Sequence, residues 1–158
     1  MTEKRDIEPA PGRDLKLMAC DDEDLAVLSA HLQDAILRVG DMAYLKHERR
    51  FVLVLQRFDW LASAGGAPQR AQTGLHFEHV RTVALQGFRQ DRPDDLLNLL
   101  NIEFFPGEAP AGEARLIFSG GCAIRLELEC MEARMADLGP RWRVRHAPGH
   151  GGGAFSGA

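Results

Sequence analysis

The sequence contains little cysteine, no excess of positive charge and no long hydrophobic run. Its 158 residues include 19 Lys and Arg against 23 Asp and Glu, so the net charge is −4 and the isoelectric point is about 5.8. A protein that binds nucleic acids or membrane surfaces in general needs a dominant basic face, which this composition does not supply. We therefore expect neither a nucleic acid nor a membrane among its partners.

The three cysteines are an odd number, and no secretory signal precedes them. Residues 1–13 are polar and lack the apolar core of an export signal. No apolar run approaches the ~20 residues that are needed to cross a bilayer. Because cytoplasmic thiols are kept reduced, the sequence predicts a cytoplasmic protein without disulfides.

Composition divides the chain into one domain and two tails. Residues 1–13 carry charges, two prolines and one glycine, which predicts a disordered lead. Residues 147–158 are rich in glycine and predict a disordered tail. Residues 14–146 are numerous enough to bury a hydrophobic core without help from a metal or a disulfide. We expect a single globular domain over this range.

Strands are predicted in consecutive runs along the chain. The strongest is FVLVLQRFDW (51–60), and short turns rather than helices separate most of the others. Consecutive strands favour an antiparallel sheet, because parallel strands would need a helix after nearly every strand. The predicted fold class is α+β: mainly an antiparallel sheet or partly closed barrel, with an N-terminal helix (about 22–33) and a C-terminal helix (about 130–138) that ends at a Gly-Pro pair.

The stretch FSGGCAIRLELEC (118–130) predicts a β-hairpin. A two-residue loop would mix apolar and charged side chains on one face, whereas a three-residue loop, 119–121, pairs Phe118 with Cys122. This second register collects on one face the apolar side chains Leu116, Phe118, Cys122, Ile124 and Leu126. A three-residue loop ends in a left-handed residue after a type I turn, which predicts a positive φ at Gly121 alone.

Other interpretations of this stretch fail on context or reach. A phosphate-binding loop needs a Lys and a helix after its glycines, and here a strand follows. Cys122 and Cys130 lie on an extended segment and would be roughly 25 Å apart, whereas a disulfide needs Cα atoms within about 7 Å. We expect both thiols to be buried as small apolar groups. The register also places Arg115 opposite Arg125, which repel weakly.

Four side chains are candidates for acid/base catalysis. Glu127 and Glu129 share the outward face of a predicted strand, either as an acid/base pair or as a solvated stripe, and regular alternation favours the stripe. His31 and Asp34 lie three residues apart near the end of the first helix, where a carboxylate could orient a catalytic imidazole. No Gly-x-Ser-x-Gly motif accompanies them, and a histidine there also suits the helix dipole. The catalytic residues therefore stay unassigned.

The sequence predicts no metal and no cofactor. DDED (21–24) is explained by helix capping more simply than by Mg²⁺. His76 and His79 are an odd number of residues apart and face opposite sides of a strand unless a bulge intervenes, and the three or four converging ligands that zinc needs are not found. GHGGGA (149–154) lacks the preceding strand and the following helix of a dinucleotide-binding loop.

Three segments resemble one known family. LKLMACDDEDLAVLSAHLQDAILRVGDMAYLKHERRFVLVLQRFDW, LHFEHV and GGCAIRLELECMEARMADLGPRW are similar to the mainly alphaproteobacterial family catalogued as domain of unknown function 2948. The resemblance covers roughly residues 15–146. It implies a small cytoplasmic bacterial protein, and in that family the gene often lies near genes for histidine biosynthesis and cell-wall precursor synthesis. It implies no activity and no catalytic residue.

Two classes of function remain. We expect a non-catalytic binding or protein-interaction module, because no motif combines the residues and the context that chemistry needs. Its partner would be a protein or a small ligand, and a homodimer is an open alternative. The competing hypothesis is a small hydrolase-like or other acid/base enzyme that lacks a recognisable motif.

Overall fold

The computed structural model describes residues 14–59 and 69–143, with only the backbone for residues 140–143. The predicted lead (1–13) and tail (147–158) lie outside the described residues. The elements are β1 (Lys16–Ala19), α1 (Asp22–His31), β2 (Ile36–Leu45), β3 (Arg50–Phe58), β4 (Gln69–Phe77), β5 (Val80–Gln86), β6 (Leu96–Pro106), β7 (Gly112–Phe118), β8 (Ala123–Leu128) and β9 (Ala133–Arg143), with 3-10 turns at Lys46–Glu48 and Ser119–Gly121.

The nine strands form one antiparallel sheet in the order β1-β9-β4-β3-β2-β6-β7-β8-β5. The sheet is strongly curled, as the connection between β4 and β5 demonstrates. These strands stand third and ninth in the order, yet only Glu78 and His79 join them, which is a span of about 10 Å at most. The backbone N–H of Val80 at the start of β5 accordingly donates to the carbonyl of Arg49, between β2 and β3. Curling brings β5 back beside strands from which it is distant in the sheet.

The predicted α+β class is wrong. The described chain is mostly one large antiparallel sheet with a single helix, α1, and the sheet does not close into a barrel. The segment 130–138, predicted as a C-terminal helix, instead leads into β9, in which Ala133 and Met135 are buried and Arg134 is exposed. The Gly139-Pro140 pair, interpreted as a helix stop, lies inside this strand.

The error has a physical cause. The apolar residues of CMEARMADLGP fit both a helical and an alternating spacing, so local periodicity does not decide between them. Non-local pairing decides: β9 forms ladders with β4 along most of its length and with β1 at its start. Hydrogen bonds to two strands distant in sequence therefore override the local pattern.

Helix α1 is held at its start by the acidic run and along its length by the core. Asp21 is the N-cap, and its Oδ1 accepts a hydrogen bond from the Asp24 backbone N–H at 2.8 Å. A cap of this kind is worth about 1 kcal/mol. Leu25 and Leu28 are buried against the sheet, and each contributes about 1.5–3 kcal/mol. The helix ends at His31, before the predicted end at residue 33.

The hydrophobic core occupies the inner face of the curled sheet. Alternate residues of every long strand point inward, as expected when one sheet face is buried. Representative members, all buried, are Phe51, Leu53, Leu55, Leu75, Phe77, Leu97, Leu99, Leu116, Phe118, Ile124, Leu126, Leu128, Ala133 and Met135. The core is thus continuous from β9 through to β8.

The hairpin between β7 and β8 has the predicted register. Leu116 pairs with Ile124, and the Phe118 backbone N–H donates to the Cys122 carbonyl at 2.9 Å. The positive φ predicted for Gly121 is confirmed at 80°, but Gly120 also has a positive φ of 76°, so the expectation of a type I position there is wrong.

A carboxylate resolves the repulsion expected between the two arginines of this hairpin. Arg115 and Arg125 are opposite each other, and Glu113 accepts hydrogen bonds from both. These bonds outweigh partial burial and hold the pKa of Glu113 below its usual range. One carboxylate between two guanidinium groups turns an unfavourable pair into a favourable triplet.

We expect Gly120→Val and Gly121→Val each to destabilise the protein by about 1–3 kcal/mol, because a β-branched residue is strained at positive φ. A Cβ at either position would meet nothing within 4 Å, so the cost is purely conformational. Urea denaturation measures both. Gly139→Val is the control, since its Cβ would be 3.8 Å from Gln72 Oε1, an ordinary contact, and should cost under about 0.5 kcal/mol. A harmless change at Gly120 would contradict the observed turn.

Candidate functional site

A buried arginine lies at one end of the inner sheet face. Strand β3 alternates inward through Phe51, Leu53 and Leu55, and the next inward position is Arg57, whose side chain is 0% exposed. Burying a charge is costly unless it is paired and hydrogen-bonded. The surroundings of Arg57 therefore identify the polar centre of an otherwise apolar interior.

Asp137 is the main partner of Arg57. The Arg57 Nε and Nη2 donate to Asp137 Oδ1 and Oδ2 at 2.8 and 2.7 Å, which is a bidentate pair between β3 and β9. The Thr73 hydroxyl and the Leu15 backbone N–H donate to the same carboxylate, each at 2.8 Å. Burial alone would raise the pKa of Asp137, but these hydrogen bonds and the charge of Arg57 outweigh it and hold the pKa below its usual range.

Further charged groups surround the pair. Asp59 Oδ2 is 3.6 Å from Arg57 Nη2, and its side chain is also buried. Arg70 is also buried; it is opposite Phe58 in the pairing of β3 with β4, and its Nη1 donates to the Gln56 carbonyl at 3.0 Å. Burial lowers the pKa of Arg70, and the charge of Asp34 opposes this effect. We call Arg57, Asp59, Thr73 and Asp137, with His31 beside them, the Arg57 cluster.

One donor group of the cluster is uncommitted. Arg57 Nη1 is buried and has no hydrogen-bond partner in the part of the chain that the structure describes. Nε and Nη2 are both held by Asp137, so the guanidinium plane and the direction of Nη1 are set. Because buried donors are nearly always satisfied in proteins, Nη1 is a natural contact for an acceptor oxygen.

His31 is close enough to this cluster for the charges of Arg57 and Asp137 to act on it. It is the last residue of α1 and is partly buried. Burial lowers the pKa of His31, the charge of Arg57 lowers it further, and the charge of Asp137 opposes both. The imidazole is therefore neutral near pH 7 and able to accept a proton or a hydrogen bond.

The helix does not align Asp34 with His31. Asp34 lies beyond the end of α1 in a left-handed conformation, with φ of 65°, and its side chain is buried. Its backbone N–H donates to the Leu99 carbonyl at 2.8 Å, which fixes the chain between α1 and β2. The assumed helical spacing of three residues therefore does not apply to this pair, and their catalytic role stays a prediction.

The other two candidates, Glu127 and Glu129, have separate partners. Glu127 is on the outward face of β8 and accepts a hydrogen bond from the Thr82 hydroxyl at 3.0 Å. Glu129 follows the end of β8 and forms an ion pair with Arg49. Neither carboxylate is part of the Arg57 cluster, and each is committed to a different strand or turn.

The described residues contain no group of three His, Cys, Asp or Glu side chains that could hold a metal ion. His76 and His79 contact different carboxylates, Glu78 at 2.7 Å and Glu132 at 3.1 Å.

All three cysteines are free; Cys20 is exposed, and Cys122 and Cys130 are only partly buried, so the expectation that these two are buried is wrong. Burial and the nearby acids Glu132 and Glu129 raise the pKa of the Cys130 thiol.

Sequence reasoning missed the centre of this site. The alternation through FVLVLQR was a usable signal for Arg57, because it places the arginine on the same face as three apolar residues. The inward position of Asp137 was not predictable in this way, because its segment was assigned to a helix. The contact itself joins residues 80 positions apart.

Asp137→Ala should destabilise the protein by about 3–5 kcal/mol, because it leaves the buried Arg57 guanidinium without its partner. The double variant Arg57→Met/Asp137→Leu should be less destabilised than Asp137→Ala alone, since it removes both charges. Chemical denaturation compares them, with Glu127→Gln as a surface control that should cost under about 0.5 kcal/mol. Equal losses in the single and double variants would show that the ion pair is not what matters there.

His31 should make stability depend on pH. Because its folded pKa is lowered, the unfolded chain binds the proton more readily, and stability falls as the pH drops below the unfolded value of about 6.5 toward the folded pKa. Thermal melts between about pH 7.5 and 5 measure this slope. His31→Gln should flatten it, whereas His47→Gln, in the exposed 3-10 turn after β2, should leave it unchanged. An unaltered slope in His31→Gln would refute the assignment.

Comparisons with known proteins place the whole described domain in one family. No helix in residues 14–59 or 69–143 is long and apolar enough to cross a membrane. No curated protein and no solved structure matches the chain. The family model described as Protein of unknown function (DUF2948) matches residues 15–150. This range includes all nine described strands and helix α1. The chain therefore belongs to the DUF2948 family.

Proposed function

We propose that the protein is a non-catalytic binding module of the bacterial cytoplasm, and that the Arg57 cluster holds a small neutral ligand through an acceptor oxygen. The observation that carries the proposal is the fully buried side chain of Arg57, whose Nη1 has no hydrogen-bond partner among the described residues. Nη1 carries two N–H donors. An acceptor oxygen on a ligand would accept a hydrogen bond from these donors.

The charge balance of the cluster favours a neutral ligand over an anion. Arg57 already faces two carboxylates, Asp137 at hydrogen-bond distance and Asp59 at 3.6 Å. An anionic ligand would add a further negative charge in a region from which solvent is excluded, and the desolvation cost would be high. The carbonyl oxygen of an amide or ketone, or the hydroxyl of an alcohol, accepts the hydrogen bond without that cost. Amides, ketones and alcohols are therefore the ligand class.

The same burial favours binding over turnover. A ligand at Nη1 would be enclosed by protein, as small-molecule sites usually are. Two potential catalytic groups of the cluster, Asp137 and Thr73, are committed to structure, because Asp137 accepts from Arg57, Thr73 and Leu15. The Thr73 hydroxyl would otherwise be a candidate nucleophile, but it donates a hydrogen bond to this carboxylate. These commitments support a cluster that holds an oxygen atom in place rather than one that transforms a substrate.

Acetamide and acetate test the ligand class, because they have nearly the same shape and differ in charge. We expect acetamide to shift the Arg57 side-chain N–H signals in ¹⁵N-edited NMR spectra of the full chain, in a saturable way, and acetate at equal concentration to shift them much less. Arg57→Lys, which lacks Nη1, should lose the acetamide effect on melting temperature. Thr73→Val, which removes a contact to Asp137 but leaves Nη1, should keep it.

Two results would overturn the proposal. One is a response of the Arg57 signals to acetate that equals the response to acetamide. The other is the absence of any response at concentrations of about 0.1 M, where even millimolar affinity would saturate the site. The measurement on the wild-type chain decides the matter even if Arg57→Lys does not fold.

A small hydrolase-like or other acid/base enzyme is the second candidate, and the lowered pKa of His31 is the observation that favours it. A neutral imidazole beside a buried arginine is able to act as a general base. Compounds that bind in the NMR assay distinguish the two functions. Their recovery unchanged after long incubation supports the binding module, and their recovery as hydrolysis products that do not form with His31→Gln supports the enzyme.

A further inference from the structure

Strand β5 forms one of the two edges of the described sheet. Strand β5 is last in the strand order and pairs only with β8. Its first residues are covered, because the Tyr44 hydroxyl contacts the carbonyls of Val80 and Arg81 at 2.9 and 3.0 Å. Within the described chain no hydrogen bond covers the outer edge over residues 82–86.

This edge lacks the devices that usually protect an edge strand. Proteins block such edges with lysine, proline, bulges or very short strands. Residues 82–86, TVALQ, contain neither a charge nor a proline, and the irregularity in the pairing with β8 lies before them, between Val80 and Thr82. The opposite edge strand, β1, differs: it has four residues and carries Lys16. The unprotected edge of β5 is therefore suited to pairing with another strand.

The sequence of the edge is complementary to itself. In a two-fold antiparallel pairing with Ala84 opposite Ala84 of a second copy, Val83 is opposite Leu85 and Thr82 is opposite Gln86. Val83 and Leu85 are partly buried residues of the inner face, so their pairing joins apolar groups across the interface. Thr82, Ala84 and Gln86 are exposed and uncharged, so no like charges meet.

The nearest charged residue also fits this register. Arg81 would be opposite Gly87 of the second copy rather than opposite another arginine. Shifting the pairing to bring Arg81 against itself would place two like charges face to face and leave residues 83–86 without partners in β5. The alternation of β5 thus favours a second copy of this chain in one particular register.

We propose that β5 pairs with β5 of a second copy and extends the antiparallel sheet across a two-fold axis centred on Ala84. The interface is short and therefore weak, below the size of a stable interface, and we expect dissociation in the range of about 10 μM to 1 mM. This proposal is independent of ligand binding at the Arg57 cluster, which is on the inner face.

Charges introduced at position 84, on the symmetry axis, test both the partner and the register. We expect sedimentation velocity to show a concentration-dependent dimer for the wild-type chain between about 10 μM and 1 mM. Ala84→Lys and Ala84→Glu should each be monomeric, because equal charges would be opposite each other at the axis. An equimolar mixture of the two variants should restore the dimer. Val27→Lys, a charge added on the exposed side of α1, is the control and should dimerise like the wild type.

The outcomes separate the possible occupants of the edge. A wild-type chain that stays monomeric up to about 1 mM overturns the proposal and leaves the edge to a strand from a different protein. Dimers that persist in both Ala84 variants overturn it as well, because the contact then lies elsewhere. Dimers that fail to re-form in the mixture contradict the register. Unchanged circular dichroism and melting temperature confirm that each variant is folded.

Discussion

The buried ion pair between Arg57 and Asp137 is the interaction on which this sheet depends. It joins β3 to β9, and the Thr73 hydroxyl and the Leu15 amide bring β4 and the start of β1 to the same carboxylate. Because side chains alternate along a strand, a slip of one residue would turn one of these groups outward and leave a charge unpaired in the core. Apolar packing opposes the same slip, and these polar contacts reinforce the register of β3, β4, β9 and the start of β1.

The same pair prepares the candidate site. A guanidinium held through Nε and Nη2 does not rotate, so the remaining nitrogen keeps one direction without further support. Exclusion of solvent strengthens every polar contact at this position, since the local dielectric is low. His31 is only partly buried, and its lowered pKa is a consequence first of this burial and then of the Arg57 charge. The proposed binding therefore depends on the same arrangement that stabilises the sheet.

Local signals in the sequence predicted what local physics decides. The parity of apolar residues around 119–121 was sufficient for the register of the β7–β8 hairpin, because a wrong loop length would expose the whole apolar face. The segment 130–138 was not predictable in this way, since its spacing suits a helix and a strand equally and only the ladders with β4 and β1 decide. The ion pair of Arg57 and Asp137 depends on that same assignment. The centre of the site was therefore hidden by one error of secondary structure.

The curl of the sheet explains why the first residues of β5 are covered while the rest of its edge is free. Only two residues join β4 to β5, so the chain must bring β5 back toward the turn between β2 and β3, where Arg49 and Tyr44 bind its first residues. The sheet does not close beyond these contacts. The pairing of β2 with β6 ends at Arg38, and the rest of β5 pairs only with β8. A barrel would have removed the free edge altogether. An open sheet with one anchored end retains backbone groups that need partners, and residues 82–86 meet that need only through another strand or through water.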